Sequence, residues 1–185
     1  QLRWEKFVNQ QATDDKLKAM FNHSPDAFDG TTIRARHILL TPEANEKSKQ
    51  ETLARLKQIK EQIEKDVAAG LAKLPASSDN LTKESKRQEL LHNLFAEAAK
   101  KYSACPSKED GGALRYFPRH GSMVEPFAKA AFAQQKYQLG DVVQTQFGYH
   151  LILVVDRKAG VPTKFEDPKV KEAVKEVYEL RLKGA

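Results

Sequence analysis

The sequence predicts an α+β fold in which helices pack against a small, mainly antiparallel sheet. Short segments such as Thr31 to Leu40 and Tyr149 to Asp156 read as strands between turn signals. Three longer segments repeat apolar residues every three or four positions as helices do. Reading along the chain, the order is helix, strand, two or three helices, strand, helix and hairpin, followed by a last helix. The 185 residues suit one domain with appendages. With 40% hydrophobic and 30% charged residues the composition is that of a globular chain rather than a disordered or fibrous one.

Residues 1–29 read as a helical flank. Thr13 is placed to cap a turn that opens on Asp14 and Asp15, Leu17, Met20 and Phe21 form its apolar stripe, and Ser24-Pro25 ends it. Asp29-Gly30 is a turn signal. Thr31 to Leu40 then reads as a strand with Ile33, Ala35, His37 and Leu39 on one face. A helix is expected from Thr41-Pro42, with Leu53, Leu56, Ile59, Ile63 and Val67 in its stripe, closing at Ala69-Gly70. Leu71 to Asn80 reads as a linker, and Ser85 with Gln88 as the capping box of a helix carrying Leu91, Leu94, Phe95 and Ala98.

Asp110-Gly111-Gly112 is a turn before a short strand near Leu114 to Phe117. Pro126 opens a helix through Phe127, Ala130, Ala131 and Phe132, closed by Leu139-Gly140. Val142 to Thr145 and Tyr149 to Asp156 are strands joined across Gln146-Phe147-Gly148. In the second of these, His150 shares a face with Ile152 and Val154, while Tyr149, Leu151, Leu153 and Val155 take the other. A final amphipathic helix carries Val170, Val174, Val177 and Leu180.

Composition excludes several kinds of chemistry. No run of about 18 apolar residues exists to span a membrane. The excess of 31 Lys and Arg over 25 Asp and Glu gives +6, but the signs are interspersed without a basic block or aromatic-interleaved stripe, so nucleic acid is not an expected partner. A single cysteine, Cys105, excludes an internal disulfide and a cysteine zinc cluster. Neither His37 nor His150 belongs to a metal-binding pair, and Gly111-Gly112 lacks phosphate-loop spacing, so no metal or cofactor is expected. The chain starts at Gln1 without a charged stretch leading into an apolar segment, so no signal peptide is expected within it.

Five segments occur in one order: Arg34-Ala35-Arg36-His37-Ile38-Leu39-Leu40, Tyr102-Ser103-Ala104-Cys105-Pro106-Ser107, Gly111-Gly112-Ala113-Leu114-Arg115-Tyr116-Phe117, Met123 to Phe127, and Thr145-Gln146-Phe147-Gly148-Tyr149-His150. That series resembles the parvulin family of peptidyl-prolyl cis-trans isomerases from about Thr32 to Arg157. The last segment is its most specific part. The flanks, including Pro25-Asp26-Ala27-Phe28 and the helix after Phe165, look like those of bacterial extracytoplasmic foldases.

The resemblance implies a parvulin-like four-stranded sheet over residues 30–160, with an inserted helical extension near 71–90, the N-terminal flank at 1–29 and a C-terminal helix at 161–185. It implies a rotamase acting without a covalent step on proline-containing unfolded or exported polypeptides, in the periplasm or cell envelope. No cofactor is implied, and the oligomeric state stays open. Leu114, Met123 and Phe127 match the family's proline-ring pocket, with Phe117 and Phe147 as walls. His37 and His150 match its paired histidines, Thr145 a hydroxyl partner, and Cys105 a Cys or Asp position near the reacting carbonyl. Arg115 stands where the family usually has Gly, and His120 looks like an added residue. The basic cluster of phosphoserine-specific members is absent after Leu40, so no phosphate requirement is expected. A non-catalytic, parvulin-shaped peptide-binding or chaperone module is the alternative.

Overall fold

The computed structural model describes residues 2–183. They form two compact units. One takes the described residues up to Thr32, Pro118–Ser122 and those from Lys158 on; the other takes Ile33–Phe117 and Met123–Arg157.

In the first unit, α1 (Leu2–Gln11) and α2 (Asp14–His23) are separate helices rather than one continuous flank, and a short 3-10 turn follows at Pro25–Ala27. Thr13 sits at the start of α2 but its hydroxyl makes no capping bond, so the acidic Asp14 and Asp15 are what suit the positive helix end. Leu17 and Phe21 are buried against Phe165 and against Val170 and Val174 of α6 (Pro168–Lys183). Two aromatic contacts, Phe21 with Phe28 and with Phe165, fix this junction at 6.0 Å between ring centres. Val177 is only half-buried and Leu180 is 59% exposed, so the apolar stripe of α6 is used at its N-terminal half.

The second unit is built on an antiparallel sheet of β1 (Thr32–Leu40), β2 (Phe117–Pro118), β3 (Val143–Thr145) and β4 (Gly148–Lys158), in the order β2-β1-β4-β3. Its central strands are covered on both faces, which is why Gly148 to Val155 are all buried. On one face Tyr149, Leu151, Leu153 and Val155 meet Ile38 together with Leu56, Ile59 and Ile63 of α3 (Glu46–Leu71) and Leu91, Phe95 and Ala99 of α4 (Asn80–Tyr102). On the other, Ile33, Ala35, Ile152 and Val154 meet Phe117 and the apolar side of α5 (Glu125–Ala133) through Phe127, Ala131 and Phe132. The period-two alternation of β4 thus serves two cores at once.

α3 and α4 have 26 and 23 residues and extend about 39 and 35 Å. No side chain of Asn80–Leu90 is fully buried, and Leu81 near the tip is 80% exposed. The expected helical extension is therefore a projecting pair of helix ends. Three helix boundaries differ from the sequence reading. α3 starts after Asn45, whose side chain accepts from the Ser48 N–H and supplies the first cap acceptor, while Thr41-Pro42 lies in irregular chain between β1 and the helix. α4 starts after Asp79, which accepts from the Thr82 N–H, so Ser85 and Gln88 lie inside the helix instead of forming its capping box. α5 ends at Ala133, well before Leu139-Gly140, and Leu139 instead bridges Leu153 of β4.

Phe95 has no exposed surface, and Phe95→Ala should lower stability by about 3–5 kcal/mol. Asp79→Ala should lower the urea midpoint while Ser85→Ala leaves it in place; equal effects of the two would contradict this helix start.

Candidate active site

The site is made where the two central strands bring two histidines together. His37 on β1 and His150 on β4 are 6% and 4% exposed. Their rings are nearly parallel, at 13°, and their Nδ1 atoms lie 3.3 Å apart. Each ring has one further partner. Nε2 of His150 is 2.8 Å from Thr145 Oγ1, and Nε2 of His37 is 3.1 Å from Ser107 Oγ.

These four groups form a continuous chain. The Phe147 N–H donates to Thr145 Oγ1 at 3.1 Å, and the hydroxyl keeps both a proton to donate and a lone pair with which to accept. Because the two Nδ1 atoms face each other, one ring carries its proton on Nδ1 and donates it, and the other has a bare Nδ1 and its proton on Nε2. We assign the tautomers from this network. Each ring has one acceptor and one donor nitrogen, and protons on both Nδ1 atoms at once would break the pair.

Burial acts in the same sense. Loss of hydration pushes the pKa of His37 down to about 4. It pushes His150 down to about 4 as well, with the proximity of His37 as a smaller cause. Both imidazoles are therefore neutral at pH 7.

Phe127 of α5 stands perpendicular to both rings, at 5.6 Å and 90° from His37 and at 5.3 Å and 78° from His150. Phe117 lies 6.1 Å from Phe127. Leu114 and Met123 are half-buried at the edge of the same cluster. Leu114, Phe117, Met123 and Phe127 are thus gathered on the side of the sheet that bears the histidines. Phe147 lies in the two-residue turn between Thr145 and Gly148 and is 53% exposed, and its backbone N–H reaches the Thr145 hydroxyl. Cys105 is half-buried at the head of the 3-10 turn Pro106–Asp110, and its N–H donates to Ser103 Oγ. Among the described residues its thiol takes no part in the histidine chain.

Two glycines are required by close approach. Gly112 has φ of +76°, its carbonyl accepts from the His37 N–H at 2.9 Å, and a Cβ there would lie 2.3 Å from the His37 carbonyl oxygen. Gly148 has φ of +134°, and a Cβ there would lie 2.3 Å from the Leu40 carbonyl oxygen. Ser107 is the functional group that sequence reasoning passed over. It stands within the quoted Cys105-Pro106-Ser107 segment, but a serine in a short turn carries no periodic signal that marks it as facing a strand.

The sign of the pH dependence follows. The unfolded chain protonates these histidines near 6.5, while the folded chain resists down to about 4. Their stabilisation is therefore complete above pH 6.5 and is lost as pH falls toward 4, on the order of 3 kcal/mol for the first proton. Urea unfolding between pH 7.5 and 4.5 should show the midpoint falling, and replacing both histidines by Gln should flatten that fall.

No helix among the described residues is long and apolar enough to cross a membrane, and no group of three or more His, Cys, Asp or Glu among them is arranged to hold a metal ion. A family model described as a PPIC-type PPIase domain matches residues 16–158. The foldase protein PrsA of Bacillus subtilis is 30% identical over 184 residues, covering 98% of this chain and 49% of that protein. A putative peptidyl-prolyl cis-trans isomerase, Cbf2, of Campylobacter jejuni is 31% identical over 169 residues, covering 89% of this chain and 50% of that protein. This chain spans about half the length of these curated relatives. Among solved structures, the peptidylprolyl isomerase PrsA from Bacillus anthracis shares the fold with a TM-score of 0.54 at 24% identity, over 96% of this chain and 62% of that one. A family match running from α2 to the end of β4, beside a relative 30% identical over 98% of the chain, has one reading: this chain belongs to the PPIC-type, or parvulin, family of peptidyl-prolyl cis-trans isomerases.

Proposed function

We propose that this chain catalyses cis-trans rotation about X-Pro bonds in unfolded or exported polypeptides, by a non-covalent mechanism and without need of a phosphate. The observation that supports it most is the pair of neutral, hydrogen-bonded imidazoles set against an apolar aromatic cluster with a half-buried edge at Leu114 and Met123.

Rotation about an X-Pro bond must overcome about 18–20 kcal/mol of amide resonance. In the twisted state the nitrogen is pyramidal and the carbonyl has lost conjugation, so a catalyst has to hold the ring apart from water and meet the changed carbonyl with oriented dipoles. On this reading Leu114, Met123, Phe117 and Phe127 seat the proline ring. His37 and His150, oriented by Thr145 and Ser107, present fixed dipoles that need no reorganisation at the moment of rotation. Cys105 acts electrostatically near the carbonyl and not as a nucleophile. Phe147, exposed in its turn, contacts the peptide beyond the ring.

Whole-protein roles follow the same reading. The relatives named as foldases support an extracytoplasmic setting, with proline-containing unfolded chains as substrates. The half-length coverage leaves room in those relatives for further segments that act on clients.

NMR exchange spectroscopy on a short X-Pro peptide tests the activity without an auxiliary protease. Acceleration should be present for the chain as it stands and should fall about tenfold or more in Met123→Ala, whose lost side chain is worth at least about 1.4 kcal/mol of apolar contact. Cys105→Asp should keep much of the rate. Binding without acceleration would identify a peptide-binding module instead, and a large preference for phospho-Ser-Pro would overturn the phosphate-independent reading.

A further inference from the structure

The extension helix α4 is tied to the site by a part-buried polar contact. Arg36, the neighbour of His37 on β1, donates from Nη1 to the carbonyls of Asp110 and Gly111 at 2.7 and 2.9 Å, and its Nη2 lies 2.9 Å from His92 Nε2 on α4. A guanidinium has no acceptor, so His92 accepts there and must be neutral with its proton on Nδ1. That Nδ1 is buried and makes no hydrogen bond among the described residues. The unmet donor is a cost that an apolar residue at this position would avoid; the histidine makes sense for the acceptor it turns toward Arg36. Burial, with Arg36 and then Arg34 nearby, lowers the His92 pKa and favours that neutral form.

The carbonyls held by Arg36 belong to the turn that serves the site. Gly111 N–H donates to Lys108 O and Gly112 N–H to Ser107 O, while Gly112 O accepts from the His37 N–H. Ser107 Oγ in the same turn is the partner of His37 Nε2. A second tether on α4 runs parallel to the first, with Arg87 donating to Tyr137 O at 2.7 Å and the Tyr137 N–H donating to Val154 O of β4.

We propose that His92 is a positioning residue for the isomerase site: it fixes the Arg36 fork, Arg36 fixes the Asp110–Gly112 turn, and the turn presents Ser107 to His37. The inference deepens the proposed function and rests on it for its kinetic arm only. α4 thereby orients a group in the site from outside the histidine chain.

The full chain is compared with His92→Phe and His92→Gln, by exchange kinetics on an X-Pro peptide and by the ring 1H–13C signal of His37. The amide oxygen of glutamine can accept from Arg36; phenylalanine cannot. His92→Phe should lower kcat about tenfold, as expected for a misplaced site group, with KM unchanged and the His37 signal displaced, and His92→Gln should recover most of both. Where His92→Phe fails to fold, Arg36→Lys, which keeps the charge and loses the fork, must displace the His37 signal in the same way. An unmoved His37 signal in His92→Phe, or in Arg36→Lys where that stands in for it, overturns the inference, as does glutamine failing to rescue. Absence of isomerisation in the unaltered chain would remove the proposed function alone, since the His37 signal still decides whether His92 orients the site.

Discussion

Two imidazoles whose Nδ1 atoms face each other inside a sheet can hydrogen-bond only while one of those two nitrogens stays bare. Everything near His37 and His150 serves that condition. Burial removes the water that would stabilise an imidazolium, and the outward nitrogens are met by hydroxyls, which can donate or accept but bring no charge. A carboxylate at either end would have drawn a proton onto the pair. Thr145 and Ser107 instead satisfy its ends without adding charge.

The fold meets the condition by making β1 and β4 neighbours at the centre of the sheet and covering both faces. α3 and α4 close one side with aliphatic residues and Phe95. α5 closes the other with Phe127, which is perpendicular to both imidazoles. The loops that deliver the end groups approach the strands so closely that they need glycine: Gly112 beside His37 and Gly148 beside Leu40. A groove of about 470 Å³ lies elsewhere, between α3 and α4, lined by Arg55, Ile59, Leu94 and Tyr102 among others, so this concavity and the polar chemistry are separate features of the unit.

Much of this was legible because β4 obeys a simple rule. Its alternation assigns His150, Ile152 and Val154 to one face and Tyr149, Leu151, Leu153 and Val155 to the other, and two distinct clusters receive them. The ordered motifs supplied what alternation could not, namely that His37 and His150, 113 positions apart, belong together. Helix starts were less readable. Asn45 and Asp79 cap from within polar loops where several Ser, Thr, Asn and Asp compete, and only the backbone geometry selects one. The break between α1 and α2 at Ala12 and Thr13 has no glycine or proline to announce it. Ser107 and the Arg36–His92 contact join residues far apart in sequence through single polar atoms, which leave no periodic trace.

The central claim is that the two histidines are neutral with protons on different ring positions, and 15N NMR of the imidazoles at pH 7 tests it most directly. One protonated and one bare nitrogen are expected in each ring, with the proton on Nδ1 in one histidine and on Nε2 in the other. Two protonated nitrogens in either ring at that pH would contradict it, as would the same tautomer in both.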